Sequence, residues 1–444
     1  MMTHSYKLDI QQEIDNSHFS FFHWKIIILG FLILAIDGYD TAAMGYIAPA
    51  LSDDWGIPKQ SLGLVLSAAL LGLSLGALVA GPISDRIGRK KVLIYSCFFF
   101  GLSSLASAYA SSLNLLTFWR FMTGLGLGAA MPNAITLISE YAPARCRALA
   151  INTMYCGFPL GAAAGGFISS WLVPLYGWQS VLLLGAIMPL ALTLLLVFLL
   201  PESVKYLVSK QRYPEKVRQI LILLMQRDIK PTTQFYLYQD PLTQTKSSLG
   251  LLFSSRYLIG TLMLWLTYFM GLIIYYVLLS WMPILMNGLG YQLQQSAILT
   301  SLFTLGGTLG IIIAGWLMDR WNAYKVVSCG FMITALLIVL MSTQNSQILL
   351  LGGLIFLMGV TMNGAQSGLQ SLAVNFYPTH SRATGISWMQ GIGRFGGVAG
   401  TLLAAQLLNM HWQVDNILLF MCIPALVAAI ATLINMHHRF KNGG

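Results

Sequence analysis

The chain has 444 residues, 56% of them apolar and only 9% charged, with a mean hydropathy of +0.70. A soluble protein would carry about 25% charged residues, so an ordinary soluble enzyme is excluded, as are a disordered chain and a disulfide scaffold. The net charge of +10 does not point to nucleic acid, because the Lys and Arg residues sit in short segments between long apolar runs.

A bilayer-spanning helix needs about 20 mostly apolar residues. Residues 1–25 are polar and carry Asp9, Glu13 and Asp15, the wrong flank for a cleavable signal. Ile10 and Ile14 allow this segment to lie on a membrane surface, but a frayed tail is the expectation. Twelve apolar runs follow, at 26–48, 60–82, 92–110, 115–139, 149–172, 178–200, 257–281, 295–317, 326–343, 347–372, 384–409 and 413–435. The polar stretch 201–256 divides them into a first bundle, 26–200, and a second, 257–435, with a short tail at 436–444. The expected fold is an all-α membrane protein of twelve transmembrane helices in two six-helix pseudo-repeats. Lys and Arg crowd alternate connections, and the opposite side holds only Lys59. By the positive-inside rule both termini are expected in the cytoplasm.

The halves echo each other. Gly81, Asp85, Arg86 and Lys91 recur as Gly315, Asp319, Arg320 and Lys325, an offset of 234. Pro143 and Arg147 recur as Pro378 and Arg382, and Gly161 and Gly165 as Gly396 and Gly400, both at 235. Parallel six-span repeats are one architecture of secondary transporters, with the substrate site at the midplane between them.

A charge at the centre of a span costs roughly 2.5–3.5 kcal/mol, so such residues usually face protein or water and serve function. Four qualify: Asp37 and Asp40 in the first span, Arg120 in the fourth and Arg394 in the eleventh. Asp37 and Asp40 share a helix face, and two acids there cannot both stay charged without a cation. Counting about 1.5 Å per residue puts Arg120 at the depth of Asp40, which predicts a pair, and puts Arg394 near the midplane. Arginine meets a carboxylate with two parallel hydrogen bonds, so Arg394, and second to it Arg120, is expected to hold an anionic substrate. Asn133, Asn152, Tyr155, Asn363, Gln366, Gln370 and Gln390 are candidates to line a cavity, although hydrogen bonding between helices is the commoner role. Trp265, Tyr268, Tyr275 and Tyr276 are candidates to stack on a ring, although packing is again commoner.

Three motif matches are decoys. Gly72-Leu73-Ser74-Leu75-Gly76 fits GxSxG but lies in an apolar helix with no preceding strand; Gly72 and Gly76 fit close helix packing instead. Gly391 to Gly396 fits GxGxxG without a βαβ unit. His437-His438 is too short to argue for metal. The five cysteines form no CxxC pair. Neither a metal nor a cofactor is expected.

The run Gly81-Pro82-Ile83-Ser84-Asp85-Arg86-Ile87-Gly88-Arg89-Lys90 resembles the loop 2–3 signature of the major facilitator superfamily, with a weaker copy from Gly315. Arg120 with Gly124, Gly126 and Gly128 is similar to its fourth-helix signature, and Pro201-Glu202-Ser203 to its usual sixth-helix end. Asp37-Gly38-Tyr39-Asp40 with Gly45 and Pro49 resembles the aromatic acid:proton symporters. So do Met131-Pro132-Asn133 through Ser139-Glu140-Tyr141, Arg382-Ala383-Thr384-Gly385 and Gly391-Ile392-Gly393-Arg394. The similarity is greatest to 4-hydroxybenzoate and protocatechuate permeases, with vanillate, benzoate and muconate carriers close enough to remain alternatives. It implies proton-coupled import of an aromatic acid through the inner membrane. Asp37 and Asp40 would couple protons. Asp85, Arg86, Arg89, Glu140, Asp319 and Arg382 would form a gating latch, in which Glu140 is expected to engage Arg145 or Arg147. A drug or metabolite exporter is the first alternative. Its usual Gly-Pro step is interrupted here as Gly157-Phe158-Pro159. A membrane sensor would be expected to carry a signalling domain, and an enzyme a catalytic constellation.

Overall fold

The computed structural model describes residues 7–211, 213–230, 233–236, 252–343, 347–377 and 379–441. All twelve expected spans are helical. In chain order they are Phe21–Trp55, Leu62–Ile87, Arg89–Ala108, Leu113–Tyr141, Arg147–Tyr155 with Gly157–Tyr176, and Gln179–Leu199. The second half follows as Leu258–Ser280 extended by Met282–Gly288, then Leu293–Arg320, Ala323–Thr343, Ile348–Phe376, Thr379–Asn409, and Val414–Phe420 with Cys422–Lys441. Most run several residues past the apolar core expected from composition, because helices continue into the interfacial region. The breaks at Cys156, Trp281 and Met421 each lie two or three residues before a proline: Pro159, Pro283 and Pro424. Proline removes one helical donor and crowds the preceding turn. Pro49, Pro82, Pro132, Pro174 and Pro189 are carried inside unbroken helices.

Eleven of the spans are long and apolar enough to cross a membrane by composition alone. The other is the eleventh, Thr379–Asn409. At 31 residues it has the length, but Arg382, Arg394 and six glycines lower its hydropathy. Such a helix is stable in a bilayer only where its polar face is turned toward protein.

The repeat seen in the sequence is a repeat of packing. The second span lies along the fourth, the first along the fifth, and the third along the sixth. In the other half the eighth lies along the tenth, the seventh along the eleventh, and the ninth along the twelfth. Glycine makes these approaches possible. A side chain at Gly72 or Gly76 would strike the carbonyls of Phe121 and Leu125, and one at Gly306 or Gly310 those of Phe356 and Val360. Gly161 faces the Ala35 carbonyl, and its repeat Gly396 faces that of Phe269. Between lipid-facing helices burial of apolar surface supplies little driving force, so close van der Waals fit has to supply it.

Between the halves, the fifth span meets the eighth and the second meets the eleventh, again equivalent under the repeat. These contacts gather toward the Lys59 side. Lys59 Nζ donates to Asn287 Oδ1 at 2.8 Å, Gly45 packs on Ser280, Gly63 on Ala405, and Gly166 on Ser301.

The expected frayed N-terminus is overturned for the described residues. Lys7–Asp9 (β1) pairs in parallel with Gln234–Tyr236 (β2), and Ile10–Asn16 is helical with Ile10 and Ile14 fully buried. Those side chains share an apolar cluster with Val217, Leu221 and Leu224 of the central-segment helix Pro214–Met225. Two isoleucines four apart find a partner face rather than a lipid surface. Arg147 pairs with Asp15 at 2.9 Å, and Arg145 donates to the Ser17 carbonyl at 2.9 Å.

The glycine seams predict a sharp positional contrast. Gly161→Ala should lower the thermal unfolding midpoint of the detergent-solubilised protein by several degrees, because its Cβ meets backbone that cannot yield. Gly353→Ala, with open space around it, should leave the midpoint unchanged or slightly raised. Equal effects would contradict the seam.

Candidate functional site

The first span brings its two acids to different partners. Asp40 is fully buried and meets Arg120 of the fourth span in a two-pronged pair, Nη1 to Oδ1 at 2.9 Å and Nη2 to Oδ2 at 2.8 Å. Nη2 also donates to the Asp40 carbonyl at 3.1 Å. Ser104 of the third span donates to Oδ1 at 3.4 Å. The neighbouring Tyr39 anchors the helix by donating to the Val181 carbonyl at 2.9 Å. The pairing expected from depth is therefore present, and the Arg120 guanidinium is committed to Asp40.

Asp37 lies one turn away and is equally enclosed, at 1% exposure. Thr41 Oγ1 donates to its Oδ1 at 3.2 Å, while Oδ2 has no hydrogen-bond partner among the described residues. A buried carboxylate with one empty oxygen is costly as an anion. Protonation removes the charge. Arg394 lies within electrostatic reach of Asp37, without forming an ion pair with it.

Arg394 is half-buried and reaches from the eleventh span across to the other half. It donates to the Leu73 carbonyl at 3.4 Å and lies 3.9 Å from the Met131 sulfur. Among the described residues it has no carboxylate within ion-pair distance. Tyr155, Tyr268 and Tyr276 surround it within electrostatic reach. The site thus holds a cation with unfilled donors, set among three phenol rings contributed by both halves.

The other expected cavity residues divide. Asn133 and Asn363 turn back to their own helices, donating to the carbonyls of Ala129 at 2.7 Å and Gly359 at 3.1 Å. Gln366 is buried with neither amide atom hydrogen-bonded among the described residues. Trp265 stacks on Trp388 with centroids 5.9 Å apart, and Tyr275 packs against Tyr276 and Phe303. Trp265 and Tyr275 thus have aromatic packing partners within the bundle.

At the Lys/Arg-rich face, one expectation is corrected. Glu140 does not engage Arg145 or Arg147, which hold the N-terminal segment. It pairs with Arg89, Nε to Oε1 at 3.4 Å. Arg89 also lies over the Tyr206 ring at 5.7 Å, and the Tyr206 hydroxyl donates to the Arg86 carbonyl at 2.9 Å. The side chains of Asp85 and Arg382 lie outside the described residues, and Asp319 is exposed.

Sequence reasoning missed three residues here. Thr41 was findable, four residues after Asp37 on the same face. Ser104 carried no signal, since serines abound in its span. Glu202 was read only as the end of the sixth helix. Its Oε1 accepts from the backbone N–H of Lys90 at 3.1 Å and of Ser203 at 3.0 Å. It therefore caps the third span from another element and places negative charge at that helix's positive end.

The Asp40–Arg120 pair predicts strong coupling. Asp40→Asn strands a buried guanidinium and should cost roughly 3–5 kcal/mol of stability. Adding Arg120→Gln should recover a large part of that loss in unfolding measurements on the purified protein. Strict additivity of the two substitutions would contradict a direct pair.

The family model for the Major Facilitator Superfamily matches residues 30–401 and 264–441. The 4-hydroxybenzoate transporter PcaK of Pseudomonas aeruginosa is 48% identical over 428 residues, covering 96% of each chain. The gallate transporter of Pseudomonas putida is 43% identical over 434 residues, covering 98% of this chain and 96% of that one. Among solved structures, a D-xylose-proton symporter superposes with a TM-score of 0.73 at 17% identity, over 93% of this chain and 97% of that one.

Proposed function

The chain belongs to the major facilitator superfamily, a multi-pass membrane protein, and on that premise we propose that it imports an aromatic carboxylate of the hydroxybenzoate class together with a proton. The observation that carries this reading is the midplane arrangement of Arg394, which has no acid partner among the described residues, with Asp37, which has an empty oxygen. The names of the similar proteins, a 4-hydroxybenzoate transporter and a gallate transporter, supply the substrate class. Both speak for transport rather than catalysis.

The termini and the Lys/Arg-rich face lie in the cytoplasm on this reading. The structure, closed at the Lys59 side, is then closed to the outside. The cycle begins in the opposite state. Asp37 takes a proton from the outer solution, and the arriving carboxylate binds Arg394 through two parallel hydrogen bonds. Its ring lies among Tyr155, Tyr268 and Tyr276, where offset or edge contacts stabilise it. The halves then rock about their seams, Asp37 loses its proton to the more alkaline interior, and the acid leaves. An anion entering alone works against the membrane potential by about 2.3 kcal/mol per 100 mV; one accompanying proton cancels this. The ionic and cation–π contacts among Arg89, Glu140 and Tyr206, with Glu202 beside them, form a latch within one half, and Asp85, Asp319 and Arg382 belong to the same gating layer.

The test is uptake of labelled 4-hydroxybenzoate by vesicles with an imposed pH difference. Asp37→Asn should abolish accumulation against a gradient while retaining exchange of substrate across the membrane. Arg394→Lys should lose both. Wild-type accumulation by the Asp37→Asn variant would overturn the coupling role.

A second measurement separates latch from site. Glu140→Gln should lower maximal uptake several-fold and leave the substrate Kd within a few-fold. Loss of binding in a folded Glu140→Gln protein would remove it from the latch.

A further inference from the structure

We propose that Gln366 is the specificity-determining residue that reads the ring hydroxyl of the transported acid. The inference rests on the functional reading above and deepens it.

Gln366 lies in the tenth span at 9% exposure, and both its Nε2 and Oε1 are enclosed with no hydrogen-bond partner among the described residues. Its neighbours in kind behave differently: the Asn133 and Asn363 amides each donate to a carbonyl four residues earlier. Buried polar groups are almost always satisfied by protein, water or a ligand. Within the protein the Tyr268 hydroxyl lies within reach of this amide without completing its donor and acceptor, so capacity remains for a group that can offer both. A phenolic hydroxyl is such a group, since it donates one hydrogen bond and accepts others.

The location fits. The Gln366 amide packs against Gly271 of the seventh span, where any side chain would occupy its place. One turn earlier in that span, the Tyr268 hydroxyl lies beside the amides of Gln366 and Gln370 and within electrostatic reach of Arg394. Tyr268 thus stands between the arginine and the amide. A hydroxybenzoate has the same layout: a carboxylate at one end, a rigid flat ring, and a hydroxyl at the other. With its carboxylate on Arg394 and its ring along Tyr268, the hydroxyl is carried toward Gln366. Benzoate in the same place leaves the amide unmet. A site built to hydrogen-bond a substrate hydroxyl discriminates more sharply against its absence than an apolar pocket discriminates by size.

The experiment is calorimetric titration of the full-length protein in lipid nanodiscs with 4-hydroxybenzoate, 3-hydroxybenzoate and benzoate. Gln366→Met keeps the length and removes the hydrogen bonds; Gln366→Asn keeps the amide and shortens its reach. The wild type should bind 4-hydroxybenzoate more tightly than benzoate. In Gln366→Met that preference should collapse by roughly tenfold, about one neutral hydrogen bond, with the loss falling on the hydroxylated acid. Gln366→Asn, read in the same way, should show the same collapse if the Met variant does not fold. An equal loss for all three acids in a folded variant assigns Gln366 to packing and overturns the proposal while the transport reading stands. A wild type that binds none of the three acids overturns the transport reading and this proposal with it.

Discussion

The buried pair between Asp40 and Arg120 sets the character of the whole site. Four charged residues on three helices could be combined in several ways, and this pair removes two of them from consideration. Its geometry is two-pronged, its surroundings are dry, and Ser104 and the Asp40 carbonyl take up further hydrogen-bonding capacity. Such a pair contributes little net stability over an apolar replacement, because desolvation offsets attraction. What it supplies is definition. It fixes the first span against the fourth and leaves Asp37 and Arg394 as the two groups whose charge is not already answered. The proposed function accordingly places its chemistry on those two.

Around this centre the fold supplies two helical bundles and the boundary between them. Within each half, glycines bring helix backbones into direct apposition, as at Gly161 on Ala35 and Gly396 on Phe269. Packed surfaces of that kind have few alternative arrangements. Between the halves glycines again meet backbone, as at Gly45 on Ser280, and other described contacts join them. They include one lysine–asparagine hydrogen bond, Lys59 to Asn287, and small-residue contacts such as Gly166 on Ser301. Arg394 crosses that boundary to the Leu73 carbonyl, so the proposed substrate-binding cation belongs to one half and leans on the other. Motion of the halves necessarily changes what Arg394 can reach.

Much of this was legible in the sequence because the membrane restricts the possibilities. Span number followed from apolar length, and the Asp40–Arg120 pair from counting depth along two antiparallel helices. The sequence underdetermined features that depend on which of several chemically equivalent groups lies nearest. Glu140 had Arg89, Arg145 and Arg147 within plausible reach, and only the docking of the N-terminal segment, which occupies the last two, selects Arg89. That docking was itself hidden, because it depends on a three-residue strand pairing some 227 positions away, Lys7 with Gln234. Gln366 and Asn363 have the same composition signal, an amide in an otherwise apolar helix. Their difference lies in whether the amide finds a carbonyl four residues back.

If Asp37 and Arg394 act as proposed, the charge arrangement also gives a reason for a proton and a substrate to travel together and not separately. Asp40 and Arg120, as an ion pair, add no net charge. In the empty site Asp37 as an anion balances Arg394 as a cation. In the loaded site Asp37 is neutral, and the substrate carboxylate balances Arg394 instead. Both states are uncharged overall, so the occluded intermediate through which the halves exchange costs no net charge in a low-dielectric interior. The two partly loaded states are different. A proton alone leaves Arg394 unanswered, at +1; substrate alone sets two carboxylates against one arginine, at −1. Each must bury a net charge during closure, at a cost of the size that makes intramembrane charges rare. On the proposed reading, leakage of either species is disfavoured by the same term, and one proton per carboxylate is the expected ratio. No direct contact between Asp37 and the substrate is needed. What is needed is that both draw on the single positive charge of Arg394, which in this structure stands within electrostatic reach of Asp37 and is paired with no other acid among the described residues.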